Sequence, residues 1–263
     1  MTPFSWRGRV GTSPILLIAG AQKCGTTTLH DSLARHPRIR KPRDSADGKS
    51  LKEVNFFNQN WSRGMEWYEA QFPEGRGIYL DSTPNYLSDL DSHERMAEAF
   101  PDAQILVSLR DPVERAYSAY NHYTQDLPHS QGWDWERPGE SFDCNVEAEL
   151  EAHGPADIGV EGLVGRGHYA VQLRSLLRCF PSSQVHVFIM ESWIKDPRQL
   201  HRHMLRELGL SSRRLRTKLS HVRSKSVPPM SAEVRDRLSK HYSPHNSQLE
   251  GILGREIREW DGG

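Results

Sequence analysis

Four short apolar runs, each closed by polar residues, punctuate the chain at residues 14–19 ("PILLIA"), 77–84 ("GIYLDSTP"), 103–112 ("AQILVSLRDP") and 183–191 ("SQVHVFIME"). Their length and their flanking glycines and prolines predict buried strands. Between them, apolar residues recur at helical spacing in "TTLHDSLARH", "MEWYEAQF", "HERMAEAF", "PVERAYSAYNHY", "HYAVQLRSLLRCF" and "PRQLHRHMLREL". A last helical stretch, "SAEVRDRLSKHYSPHNSQLEGIL", closes the chain. Strands alternating with helices predict an α/β domain with a central parallel sheet flanked by helices. Ligands in such sheets bind at the carboxyl ends of the strands, so the polar residues that end each run become the candidates for chemistry.

Two segments break the pattern. Residues 127–166 are rich in Gly, Pro, Asp and Glu and show little periodicity, which predicts a long, partly mobile excursion. Residues 211–225 hold six Arg or Lys and no acid. The expected organisation is an N-terminal extension over 1–13 and one domain over 14–263, with a basic loop at 211–230. At 263 residues the chain is long enough for one large α/β domain. Its formal charge is zero, so no global basic field points to nucleic acid, and any anion site is a local cluster. No apolar stretch is long enough for a membrane span or a signal-peptide core, which predicts a soluble, cytoplasmic protein. Cys24, Cys144 and Cys179 fit neither a disulfide framework nor a zinc site.

The turn "IAGAQKCGTTTL" (18–29) has the glycine spacing of the ATP-binding P-loop, but Thr26 stands where that pattern has lysine. Its lysine, Lys23, lies inside the loop. A turn from a strand into a helix start offers unpaired N–H groups and the positive end of the helix dipole, both suited to a phosphate. Gly20 and Gly25 permit the path, Lys23 adds charge, and Thr26 and Thr27 add hydroxyls. An ordinary glycine turn is the plain alternative. In "LVSLRDPVERAYSAY" (106–120), Asp111 is the expected N-cap, Pro112 the first helical residue and Glu114 the closing member of a capping box. Arg110, at the strand mouth, suits a phosphate fork or a surface ion pair. Ser118 is a further hydroxyl or a helix filler. The basic run ending in Arg223 and Lys225 reads equally as a solvated loop.

Together these pieces resemble the family of sulfotransferases that use 3′-phosphoadenosine 5′-phosphosulfate, in particular its heparan sulfate branch. The resemblance runs from about Pro14 to Trp260. "KCGTTTL" is similar to the family's 5′-phosphosulfate loop and "LRDPVERAYSAY" to its 3′-phosphate motif. "LKEVNFFNQNWSRGMEWYEAQFP" resembles its lysine–glutamate segment, "YLDSTPNYL" its Thr-Pro-x-Tyr turn, and "GRGHYAVQLRSLLRCFP" its Gly-x-Tyr helix. "RSKSVPPM" resembles the C-terminal cofactor loop, in a looser alignment and without the cysteine pair that heparan members often carry there.

The resemblance implies a short phosphosulfate, and no metal, where ATP has its triphosphate. It implies that Lys23, Cys24, Gly25, Thr26 and Thr27 hold the 5′ end, that Arg110 and Ser118 hold the 3′-phosphate, and that Arg223 and Lys225 assist. It makes Glu53 the base that takes the acceptor's proton, with Lys23 and Lys52 stabilising charge or orienting Glu53. Phe56 and Phe57 beside Glu53 are expected to lower the local dielectric and raise its pKa. The plain alternative is that Glu53 only pairs with Lys52. His122 is a reserve base, because another sulfotransferase branch uses a histidine. "HRH" at 201–203 has no partners at metal spacing and reads as helix surface. Cys24 is expected to pack, although a helix start can depress a thiol. The acceptor is a hydroxyl or amine, on a glycan or a small molecule. Two other readings stay open, a P-loop kinase using ATP and Mg²⁺ and a non-catalytic module binding a nucleotide or an anionic glycan.

Overall fold

The first strand, β1 (Ile15–Gly20), is buried at every position, as a strand covered on both faces must be. In the computed structural model, which describes residues 14–43, 51–125, 141–152, 162–210 and 229–261, it is the middle of a five-stranded sheet. The others are β2 (Ile39–Arg40), β3 (Ile78–Asp81), β4 (Gln104–Leu109) and β5 (Val185–Ile189). Their order is β2-β3-β1-β4-β5, and every neighbouring pair is parallel. The four long strands lie where the apolar runs predict them. The two-residue β2 has no run of its own and was not foreseen.

Parallel strands need long crossovers, and here helices supply them. They are α1 (Thr26–Leu33), α2 (Gly64–Ala70), α3 (Leu90–Ala99), α4 (Pro112–Gln125), α5 (Phe142–Ala152), α6 (Gly162–Gly165), α7 (Tyr169–Cys179), α8 (Met190–Trp193), α9 (Pro197–Glu207) and α10 (Ala232–Leu253). Side chains of a strand alternate between faces, and β1 distributes its own between two cores. Ile15, Leu17 and Ala19 join a cluster with Phe56, Phe57, Tyr68, Tyr86 and residues of α3 and α7. Leu16 and Ile18 join the opposite cluster, with Leu29 and Leu33 of α1 and Leu200, Met204 and Leu205 of α9. A third cluster packs α4, α5, α6 and α10 together.

Caps mark several boundaries. Asp196 accepts from the backbone N–H groups of Arg198 and Gln199, with Pro197 at the first turn of α9. Ser231 caps α10, which ends on Gly254 in the left-handed region. The excursion expected over 127–166 needs correction, because its described parts hold α5 and α6. Phe142 and Val146 of α5, one turn apart, are buried, and Glu149 accepts from the N–H groups of Leu163, Val164 and Gly165. That carboxylate serves the uncapped start of a four-residue helix, an arrangement with no sequence periodicity to announce it.

Two of the four histidines buried among the described residues, His30 and His93, pair with serine hydroxyls. His30 of α1 shares a 2.8 Å hydrogen bond with the Ser82 hydroxyl, and His93 of α3 shares one of 2.9 Å with Ser175 of α7. Burial pushes each down to about 4, aided at His30 by the nearby Lys52 ammonium. A histidine whose folded pKa is depressed gives stability that is present above its unfolded value, near 6.5, and lost as pH falls toward 4. The free energy of unfolding should therefore drop by up to about 3 kcal/mol per histidine between pH 7 and 4. Denaturant melts of wild type beside a double His30→Gln, His93→Gln variant isolate this contribution from other titrating groups, and the wild type should lose more stability between pH 7 and 4 than the variant does. Parallel profiles for the two proteins would contradict the assignment.

Candidate functional site

The carboxyl ends of β3, β1 and β4 lie side by side, and each carries one predicted piece. At the end of β1 the chain turns through Ala21–Gly25 into α1. Lys23 and Gly25 both sit in the left-handed region, at φ 67° and 77°. Such a turn exposes consecutive N–H groups. No side chain caps α1 and no acid lies in its first turn, so its positive end is left for an anion. Thr26 is buried and Thr27 half-buried.

Neighbouring strands hold this turn in place. Ala21 donates its N–H to the Ser108 carbonyl at 2.7 Å, and the Ser108 hydroxyl donates to the Cys24 carbonyl at 2.6 Å. The indole N–H of Trp193 donates to that same hydroxyl at 3.1 Å. Gln22 donates its side-chain amide to the Tyr123 hydroxyl of α4. The thiol of Cys24 is fully buried, and burial pushes it up to about 11. The helix start therefore does not depress it. Its environment is that of a packing residue, 3.8 Å from the Tyr169 hydroxyl.

At the end of β4, Asp111 caps α4 through the N–H groups of Val113 and Glu114. The expected capping box does not close. The N–H of Asp111 donates instead to Glu191, at 3.0 Å, while Glu114 turns outward between two arginines. It lies 2.6 Å from Arg235 of α10 and 3.4 Å from Arg110. Two guanidiniums thus share one carboxylate, and Arg110 has the looser contact. Tyr169 at the start of α7 ties both pieces together, because its hydroxyl donates to the Arg110 carbonyl at 3.0 Å and faces Cys24. Ser118 is half-buried on α4. Arg115, which the sequence reading passed over, is fully buried there and donates to the Leu163 carbonyl. Only its place on the apolar stripe of α4 distinguishes it in the sequence.

The third piece hangs from β3. Asp81 is completely buried, and its carboxylate accepts from the hydroxyls of Thr83 (2.8 Å), Tyr86 (2.8 Å) and Tyr68 (3.3 Å) and from the Val54 N–H. Thr83 in turn accepts from the Asn55 N–H, and Tyr86 from the Phe56 N–H. Three successive backbone amides after Glu53 are thus bound to one buried cluster. Burial raises Asp81 to about 6, against the pull of its hydrogen bonds. It also holds Tyr68 and Tyr86 well above the usual phenol range, so both remain donors.

Lys52 and Glu53 protrude from this anchor and form a 2.9 Å ion pair with side chains 27% and 38% exposed. The expectation that Phe56 and Phe57 enclose the carboxylate needs correction. Both rings turn inward, Phe56 stacked on Tyr68 and Phe57 edge-on to Tyr86 and Phe100, after a left-handed Asn55 that redirects the chain beyond Glu53. His122 lies half-buried on α4 beside Tyr123, and His93 is deep in the core. His203 of the "HRH" run packs its ring against Phe188. Arg223 and Lys225 fall outside the described residues. A group that sequence reading missed is formed by His168, His241 and His245, which converge where α7 meets α10. The spacing "HYSPH" was its available signal.

The chain matches the sulfotransferase domain family over residues 13–247. It is 30% identical over 94% of its length to mouse bifunctional heparan sulfate N-deacetylase/N-sulfotransferase 4, and 28% identical to the human form 3. It spans about a third of the length of these curated relatives, 31% in both cases. A sulfotransferase from Alicyclobacillus acidocaldarius superposes with a TM-score of 0.74 at 29% identity, covering 94% of this chain and 98% of that one. Among the described residues, no helix is long and apolar enough to cross a membrane.

Two substitutions probe the geometry. A Cβ at Gly25 would lie 2.5 Å from the Trp193 ring, at a φ that side chains rarely adopt. Gly25→Ala should cost more than about 1 kcal/mol in unfolding free energy, and its soluble fraction should lose anion binding at the loop. Wild-type melting and anion binding would contradict the tight loop. Asp81→Asn sets an amide donor against hydroxyl and N–H donors and should cost about 1–3 kcal/mol, read by denaturant unfolding at pH 7.5. An unchanged midpoint would remove Asp81 from the anchoring role.

Proposed function

Because the chain belongs to the sulfotransferase domain family, we propose that it transfers a sulfuryl group from 3′-phosphoadenosine 5′-phosphosulfate to an amine or hydroxyl of an acceptor, with a glycan as the favoured acceptor class. The observation that carries this reading is the gathering of three pieces around the ends of adjacent strands: the uncapped loop with Lys23 after β1, the start of α4 with Arg110 after β4, and the Lys52–Glu53 pair tied to the end of β3 through the Asp81 cluster. The donor's two phosphate ends fit the first two pieces. The free start of α1, with its paired left-handed residues, suits the short 5′ end, and the Arg110 guanidinium, held only at 3.4 Å by Glu114, suits the 3′-phosphate. The names of the mammalian relatives, which join N-deacetylation to N-sulfation of heparan sulfate, favour an aminosugar nitrogen.

Once bound, the donor supplies an electrophilic sulfur on a phosphate leaving group. Lys23 and the N–H groups of Gly25, Thr26 and Thr27, with the Cys24 stretch of backbone, hold the 5′ end and stabilise the charge that grows there. Arg110, with Ser118, fixes the other end, and Arg223 and Lys225 belong to the same proposed binding set. Glu53 takes the proton from the acceptor's nitrogen or oxygen. Lys52 orients the carboxylate through their 2.9 Å contact until that proton arrives. The anchored amides of Val54, Asn55 and Phe56 hold Glu53 in register with the loop, because β3 and β1 share backbone hydrogen bonds. Alignment rather than covalent chemistry is thus the main contribution of the chain, as in phosphoryl transfer.

Thermal melts with 3′-phosphoadenosine 5′-phosphate, ADP and ATP–Mg²⁺ test the donor. At about a hundred times its dissociation constant, a ligand adds about 2.7 kcal/mol, and only the 3′-phosphorylated nucleotide should do so. Stabilisation by ATP–Mg²⁺ alone would favour a kinase. Glu53→Gln should lower kcat by about 10²–10⁴-fold while nucleotide binding stays intact. If turnover persisted at the wild-type rate, Glu53 would be only the partner of Lys52.

A further inference from the structure

Outside the candidate site, three imidazoles meet where the chain enters α7 beside α10. His168 is the residue before α7 and is 1% exposed. His241 and His245 lie four residues apart on α10, hence on one face, and both are half-buried. The Nε2 atoms of His168 and His241 are 2.9 Å apart, and the rings of His168 and His245 stack with centroids at 4.1 Å. One ligating atom from each histidine lies within 4.8 Å of the others.

Independent contacts set this convergence. Between the two α10 histidines, the Tyr242 hydroxyl donates to the Val164 carbonyl at 2.8 Å. Its ring presses on Gly167, where a Cβ would meet it at 2.7 Å. The two segments are therefore locked in register before any ion arrives. Within the same turn, Pro244 removes one N–H from the ladder of α10. A helix weakened there gains from a cross-link.

We propose that His168, His241 and His245 form a binding site for one Zn²⁺ ion, which clamps the start of α7 to α10. Three imidazoles suit zinc, with Zn–N distances near 2.0–2.1 Å. Tetrahedral coordination at that distance separates two nitrogens by about 3.4 Å. To admit the ion, the 2.9 Å pair opens by about half an ångström and the half-buried His245 ring turns out of its stack on His168 to aim a nitrogen at the metal. In the metal-free pair one Nε2 carries the proton and the other accepts it. When zinc binds, that proton moves through solvent to Nδ1 of the same ring, so each Nε2 offers a lone pair and the protein's charge is unchanged. The half-exposed side of the cluster lets water complete the tetrahedron. The clamp begins one residue before Tyr169, which touches both Cys24 and the Arg110 carbonyl. Its existence does not depend on what the chain catalyses.

The test uses the full chain, carrying no polyhistidine tag and stripped with a chelator. Calorimetric titration with Zn²⁺ should give one equivalent, and Co²⁺ in its place should give the visible absorption of a tetrahedral ion. His241→Gln and His245→Gln, whose sites are half-buried, should each weaken zinc binding by at least about 100-fold, more than loss of an outer-shell partner does. His203→Gln, away from the cluster, should leave it unchanged. Zinc should raise the thermal midpoint of wild type and not that of the His241 or His245 variants, with circular dichroism verifying that each variant is folded. Absence of stoichiometric binding would overturn the proposal. So would binding that survives both variants, or an octahedral cobalt spectrum.

Discussion

A carboxylate taken wholly out of water is costly unless its oxygens are met by donors. Asp81 meets that condition with three hydroxyls and a backbone N–H, and the arrangement of the surrounding region follows from it. The tyrosines that satisfy it also belong to the aromatic core over one face of the sheet, Tyr68 stacked on Phe56 and Tyr86 edge-on to Phe57. The hydroxyls of Thr83 and Tyr86 accept from the next two amides after Val54. A single buried charge thus fixes the end of β3, the segment after Glu53 and the packing of Phe56 and Phe57. Each partner is held by more than one contact, so the cluster is expected to respond as a unit.

The other two pieces of the site are positioned differently, by the sheet itself. Parallel register places Gly20 of β1 beside Val107 of β4, so the loop after one and the helix after the other leave the same edge. Ser108 then stitches them, receiving from Ala21 and Trp193 and donating to Cys24. Cations and carboxylates are interleaved at this edge, with Arg110 and Arg235 on Glu114 and the Asp111 N–H on Glu191, so the charges there are held in fixed pairs on a chain whose formal charge is zero.

The four long strands and the amphipathic helices were legible because burial on a sheet face or a helix stripe leaves a period in the sequence. The loop at 20–25 and the Asp111 cap were legible because turns and caps need particular residue types. What stayed hidden depends on contacts between distant positions. The two residues of β2 carry no period. Helices α5 and α6 sit in a stretch whose composition resembles a loop, and Glu149 caps α6 from outside. Glu114 was assigned to a capping box by spacing, yet Arg235, 121 residues away, claims its carboxylate. Phe56 and Phe57 were expected around Glu53, but the left-handed Asn55 sends them into the core. The histidine cluster joins a four-residue spacing on α10 to His168, 73 positions before His241, and only the first half of that leaves a local pattern.

Gly25 is closed to side chains for two reasons of different kind. One is the indole of Trp193, 5% exposed and fixed by its bond to Ser108. The other is the positive φ of its own backbone. A smaller residue at 193 would relieve the first and leave the second untouched. No single compensating change can therefore make alanine acceptable at 25. Along any lineage descending from this sequence, position 193 retains paths of variation that position 25 has lost.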